Sequence, residues 1–276
     1  MPTFLCRACG VQYAESDTPP VRCMICDDER QFVPMGGQAW VTPEHLAVDH
    51  FNAFRKVAPG LYGVWTMPQV GIGQRAFLVT TPAGNMLWDC ISFLDAATCD
   101  VVHALGGLKA VAISHPHFYG AMATWGRAFD CPVLLHEADR RWVVDADPHL
   151  DFWSGDTRAV LPGLTLHRIG GHFPGNTVLH WGERRMLLTG DTVLVTWDRR
   201  HVAFMWSYPN YVPLPAAEAE RIGARLGALD FDALYSAFWD RGAIASGARA
   251  VIERSVRRHV DGPGAAMDVT PADDGV

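Results

Sequence analysis

Two groups of residues in this chain have the types and spacing that bind metal ions. One is Cys6-x-x-Cys9 with Cys23-x-x-Cys26, two tight thiol pairs joined by a short loop. The other is spread along the chain: His115 and His117 one residue apart, His172 inside Gly170-Gly171-His172-Phe173-Pro174-Gly175, and Asp191 in Gly190-Asp191-Thr192. Val111, Ala112 and Ile113 read as a strand buried on both faces, and Pro116 forces the chain out of regular structure where the imidazoles begin. His172 and Asp191 likewise follow strand-like runs. Ligands held at the carboxyl ends of strands are the usual arrangement in α/β layers.

The cysteine quartet has the spacing of two knuckles closing a tetrahedral four-sulfur site. Two disulfides are the competing reading, and the N-terminus, Met-Pro-Thr-Phe-Leu-Cys, shows no export signal that would favour them. The stretch resembles a zinc ribbon, with zinc as the expected ion and a rubredoxin-like iron centre as the alternative. A segment as short as residues 1–37 cannot fold by burial alone, so metal binding should supply its folding free energy. A partner protein docking through this module is a further role open to it.

The remaining elements must position the dispersed ligands. Thr42-Pro43-Glu44 opens a helix and Pro59-Gly60 breaks the chain. Strands are expected at 61–66, 76–80 and 85–89, a helix capped by Ser92 running to about Leu105, then the histidine strand. Residues 121–129 read as helix, 133–136 as strand with His136 structural, 137–144 as a short helix, and 145–156 as a loop able to act as a flap. Strands recur at 164–169, 177–181 and 185–189, and amphipathic helices at 216–229 and 244–260 should cover the sheets. Cys90, Cys99 and Cys131 are expected to be buried and inert.

The 276 residues are 49% hydrophobic with a net charge of −7. That suits one sizeable core with a small appendage and argues against a nucleic-acid surface, which needs clustered Lys and Arg. No apolar run is long enough to span a membrane, and a cytoplasmic location with reduced cysteines is expected.

Over residues 40–260 the chain resembles the metallo-β-lactamase superfamily. His115 and His117 match the first half of its His-x-His-x-Asp-His motif, Gly171-His172 its loop histidine, and Gly190-Asp191 its Gly-Asp motif. The resemblance implies an αββα sandwich, giving a division into a four-cysteine module (1–37), the sandwich (38–261) and a disordered tail (262–276). It departs at Tyr119 and Gly120, which replace the Asp-His half, and between Tyr235 and Gly242, where the family's last histidine is missing. The family's second metal site is therefore expected to be lost. What remains is a mononuclear centre of His115, His117 and His172, with Asp191 as fourth ligand or proton acceptor, taking Zn, or Fe or Mn. Asp89 resembles a residue that orients the metal-site loop. Tyr119 is expected either to donate a hydrogen bond to the reacting group or to fill the vacated space. Trp206, Tyr208, Trp239 and Asp240 are the candidates for lining a substrate pocket. The implied function is hydrolysis of a small-molecule ester, thioester, lactone or amide, with metal-bound hydroxide as nucleophile. An iron-dependent oxidoreductase and a non-catalytic metal-binding scaffold are the alternatives.

Overall fold

The computed structural model describes residues 1–240 and 242–262; the tail expected at 263–276 lies outside the described residues. Among these, a one-turn helix, α1 (Pro43–Leu46), precedes seven strands that form one sheet in chain order: β1 Phe51–Ala58, β2 Leu61–Met67, β3 Ala76–Thr81, β4 Gly84–Trp88, β5 Ala110–Ala112, β6 Val133–His136 and β7 Leu150–Trp153. The first four are antiparallel, and β4 to β7 run parallel. A second sheet follows: β8 Thr157–Leu161, β9 Leu164–Arg168, β10 Thr177–Trp181, β11 Met186–Leu188, β12 Ala233–Tyr235 and β13 Ala243–Ile244.

Strict alternation along the strands builds the layers, because successive side chains leave opposite faces. Phe77, Val79, Met86, Trp88, Ala110 and Ala112 meet Leu164, Leu166, Leu179, Trp181 and Leu188 between the sheets. The intervening Leu78, Leu87 and Val111 face outward under the helices α2 (Ala96–Ala104) and α3 (Met122–Phe129). On the far side, Val178, Leu187 and Leu234 pack with Ile222, Leu226, Val251 and Ile252 of α4 (Ala216–Gly227) and α5 (Ala248–Asp261). This is an αββα sandwich.

Three local expectations are corrected. The helix opened by Thr42 ends at Leu46, and β1 follows; it is an edge strand whose many half-exposed residues lack a clean alternation. The helix before the histidine strand is capped by Asp95, not Ser92: the Asp95 carboxylate accepts from Thr98 N at 2.7 Å. The 145–156 loop is pinned by β7, which pairs with β6 through Leu150–Trp153, so it is no free flap.

The four-cysteine module sits on the sandwich. Cys6, Cys9, Cys23 and Cys26 share one buried cluster with Leu78, Val111, Phe118, Tyr119 and Trp125. Gly71 lies under the first knuckle so closely that a Cβ there would stand 2.7 Å from the Cys9 carbonyl carbon and Gly10 nitrogen. No helix among the described residues is long and apolar enough to cross a membrane.

Candidate metal centre

His115 leaves the end of β5 in an extended conformation, and Pro116–Phe118 then forms a single tight turn that brings His117 to the same side. His172 sits in the glycine loop between β9 and β10, and Asp191 follows β11. All four side chains are buried, and one donor atom from each lies within 4.8 Å of the others. His115 Nε2 is 3.2 Å from Asp191 Oδ1, His172 Nε2 is 3.9 Å from the same oxygen, and His172 Nε2 is 3.1 Å from His117 Nδ1.

These residues fit a metal ion. Donors about 2.0 Å from a tetrahedral zinc stand roughly 3.3 Å apart, and the three separations bracket that spacing. Within the set, His115 Nε2 and Asp191 Oδ1 are buried without a hydrogen-bond partner, a costly condition that protein interiors rarely tolerate. The far side of two rings is anchored. His172 Nδ1 donates to the Met205 carbonyl at 3.1 Å, which leaves Nε2 as the lone-pair nitrogen. His115 Nδ1 meets Ser114 Oγ at 2.9 Å, and the Ser114 amide donates to Asp89 Oδ1 at 2.8 Å. Asp89 thus holds the loop that carries the histidines, an outer contact of the kind that orients ligands.

Burial makes the charge state of the set suit a cation. It holds His115 and His117 well below the ordinary imidazole pKa and His172 at about 4, so all three are neutral and able to ligate. Burial, with the nearby Asp89 charge adding to it, pushes the Asp191 carboxyl up to about 8. A bound dication would reverse that shift by favouring the carboxylate.

The thiols form a second set. Cys6 Sγ and Cys26 Sγ are 3.6 Å apart, as are Cys9 Sγ and Cys23 Sγ. A disulfide needs about 2.05 Å, whereas thiolates about 2.3 Å from a tetrahedral zinc stand roughly 3.8 Å apart. The pairing across the knuckles and the distance both fit a four-sulfur ion site. Burial pushes the remaining thiols up, Cys131 to about 11, which keeps them protonated and weakly nucleophilic; Cys90 and Cys131 are buried, whereas Cys99 is only half-buried.

A pocket of about 660 Å³ opens over His117 and Asp191. Tyr208 and Asp240 line it, and the Tyr208 hydroxyl donates to the Asp191 carbonyl at 2.5 Å. Phe32, Trp197 and Tyr211 stand exposed around its lining. The other candidates are placed elsewhere. Trp206 packs its ring 5.3 Å from the Arg30 guanidinium, and Trp239 stacks on Trp65 at 4.1 Å. Tyr119 points into the core and donates to the Asp139 carbonyl at 3.3 Å, away from the pocket. His136 bonds the Gly155 carbonyl and stands outside the metal set.

A sequence profile described as the Metallo-beta-lactamase superfamily matches residues 71–218. The chain belongs to the metallo-β-lactamase superfamily. Its Bacillus subtilis (strain 168) relative YmaE, described as uncharacterized, is 42% identical over 266 residues, spanning 94% of this chain and 96% of that protein. YybB of the same organism, described as a probable metallo-hydrolase, is 26% identical over 114 residues, 36% of this chain and 51% of its own. Among solved structures, the metallo-β-lactamase FIM-1 from Pseudomonas aeruginosa in its mono-zinc form superposes with a TM-score of 0.57 at 12% identity, covering 77% of this chain and 97% of that one. The family protein TTHA1429 from Thermus thermophilus gives 0.52 at 19% identity, over 74% and 80%. At such identities the likeness is one of fold.

Within this superfamily the present chain keeps one metal-binding set and has a degenerate second one. The structure gives the degeneracy a physical form. Gly120 stands where the superfamily motif has its histidine, with φ of +46°, and a Cβ there would lie 2.8 Å from the Ile91 carbonyl oxygen. Its own carbonyl accepts from the Gln12 amide at 2.9 Å, so the four-cysteine module is seated on the altered motif. Restoring the side chain should therefore not restore a site. Gly120→His is expected to leave the metal count unchanged and to cost about 2 kcal/mol or more, from left-handed strain and overpacking together; denaturant unfolding with metal analysis measures both.

Sequence reasoning misses Arg30, Gln31 and Phe32, which line the pocket from just beyond the cysteine quartet. The only signal is the charged run Asp27 to Arg30 directly after Cys26, which gives no hint of where it lands.

Proposed function

We propose that the protein is a mononuclear metal-dependent hydrolase acting on a neutral small-molecule ester, thioester, lactone or amide, with zinc in both sites. The observation carrying this reading is the convergence of three neutral imidazoles and one carboxyl on a single point in a small-molecule-sized pocket. His115, His117 and His172 would hold the ion, with Asp191 as fourth ligand or at its side. Bound there, a divalent metal supplies Lewis acidity, polarising a carbonyl and lowering the pKa of water.

The chain's own groups supply the rest. Asp191 Oδ1, unpaired and facing the histidines, is placed to hold a proton released during hydrolysis. Ile72, Leu194 and Phe238 provide apolar walls for an acyl portion. Charge selects against anionic substrates: among the described lining residues Arg30 is the sole cation, and its guanidinium is already committed to Asp28 and the His172 carbonyl. Asp191 and Asp240 add acidic groups to the same walls.

The test is metal analysis of chain purified without added metal, followed by aryl ester, thioester, lactone and phosphodiester assays with and without chelator. Two zincs per chain and chelator-sensitive acyl hydrolysis are expected, with phosphodiesters untouched. Iron at the histidine set with oxygen uptake would replace the hydrolytic reading, and a full metal complement with no turnover of any acyl substrate would sink it.

A further inference from the structure

The four-cysteine module reaches the histidine set through one side chain. The second knuckle turns at Cys23–Cys26, with the Asp27 amide donating to the Cys23 carbonyl at 3.0 Å, and the chain then delivers Asp28 and Arg30 toward His172. Arg30 is 8% exposed. Its Nε and Nη2 donate to the two Asp28 oxygens at 2.7 and 2.5 Å, and its Nη1 donates to the His172 carbonyl at 2.9 Å. The guanidinium lies 3.9 Å from the centre of the Phe173 ring.

The grip closes into a circuit. His172 donates from Nδ1 to the Met205 carbonyl, and two residues on, Ser207 Oγ donates back to the Glu29 carbonyl at 2.9 Å. The ligand histidine is thus held at its backbone by Arg30 and at its ring by Met205, and both holds lead to residues 28–30 just beyond the cysteine quartet. The guanidinium's described hydrogen bonds go to Asp28 and to the His172 carbonyl, so its reach to the metal set runs through His172.

We infer that Arg30 is a positioning residue for the metal ligand His172, and that through it the four-cysteine centre sets the metal affinity of the histidine site. The inference rests on the reading that His115, His117, His172 and Asp191 hold a metal. Outer contacts that orient ligands are worth about 10- to 100-fold in metal affinity. Arginine suits the position because its planar fork serves Asp28 bidentately while a third donor reaches the carbonyl, which lysine cannot reproduce in full.

The experiment uses the full chain loaded with Co(II), whose thiolate charge-transfer bands report the cysteine set and whose weaker visible bands add the histidine set. Arg30→Met, which keeps the apolar stem, is expected to retain the thiolate bands, shift the histidine-set bands and weaken that site against a competing chelator by about 10-fold or more. Arg30→Lys should recover part of the loss. Unchanged bands and affinity in Arg30→Met would overturn the inference. Should Arg30→Met lose the thiolate bands, marking a misfolded module, Asp28→Asn decides: it keeps the guanidinium but weakens its anchor, so weaker histidine-site affinity supports the inference and unchanged affinity overturns it. A wild-type chain that takes up cobalt through thiolates alone would overturn the underlying reading and the inference with it, and shows itself before any substitution is made.

Discussion

Replacing His172 with alanine should lower the metal content from two ions per chain to one and remove turnover. Three imidazoles and a carboxyl share the work of binding, and apparent zinc affinities of four-donor structural sites are about 10–16 kcal/mol. One donor then carries on the order of 3 kcal/mol, more than about a hundredfold in affinity. His172 is fully buried between its two anchors, so alanine leaves a cavity that no neighbouring donor can fill without moving the 170–176 loop. The ion of the cysteine set should remain, because its four sulfur donors come from residues 6–26 and none from the 170–176 loop. His136→Ala is the matching control: that imidazole is also buried and hydrogen-bonded, but to Gly155, and its loss should leave two metals in place. Elemental analysis of the three proteins, with the acyl-hydrolysis assay beside it, separates loss of a ligand from loss of any buried histidine. Equal metal content in His172→Ala and the parent chain would remove the histidine set as a metal site.

The parts legible in the sequence are those where local pattern and tertiary demand agree. Near-continuous apolar runs on β3 to β5, buried on both faces, and the glycine loops after β9 and β11 leave a local trace with abrupt stops, and the metal set sits at those stops. The edge strands Phe51–Ala58 and Thr157–Leu161 leave no such trace, because solvent on one side relaxes the choice of residue. Pocket walls are less legible. Trp206 and Trp239 have the residue type that lines pockets, but aromatic rings are drawn equally to guanidinium and indole faces, and they pack on Arg30 and Trp65 instead. Tyr119 and Gly120 read as a lost ligand pair; only the fold shows that a different part of the chain is seated on them. Arg30 and His172 are 142 residues apart, a separation across which spacing carries no information.

That seat makes Cys23→Ser the substitution with the widest expected reach. Cys23 Sγ stands 3.6 Å from Cys9 Sγ in the centre of the module, and the quartet ties together a segment too short for a core of its own, whose buried Leu5, Val11 and Ile25 pack with residues of the sandwich. Losing one thiolate removes the ion whose binding energy is comparable to the entire stability of a domain, about 5–15 kcal/mol, so the module should unfold and not merely loosen. The damage then travels by two routes. Gly71, pressed against Cys9 and Gly10, loses the backing of the pocket loop, and Arg30 releases the His172 carbonyl. Tyr119, Phe118 and Trp125, buried under the module, gain exposure, which lowers the stability of the sandwich as well. Both metals should therefore leave Cys23→Ser more readily, the melting temperature should fall, and protease cleavage should appear within residues 1–37. Cys99→Ser, at a half-buried thiol outside both sets, should change none of these. If Cys23→Ser lost the thiolate ion yet kept its histidine-site affinity and resistance to protease, the module would be an appendage after all. Its close packing on Gly71, Gly120 and the His172 loop argues that it is instead one wall of the site.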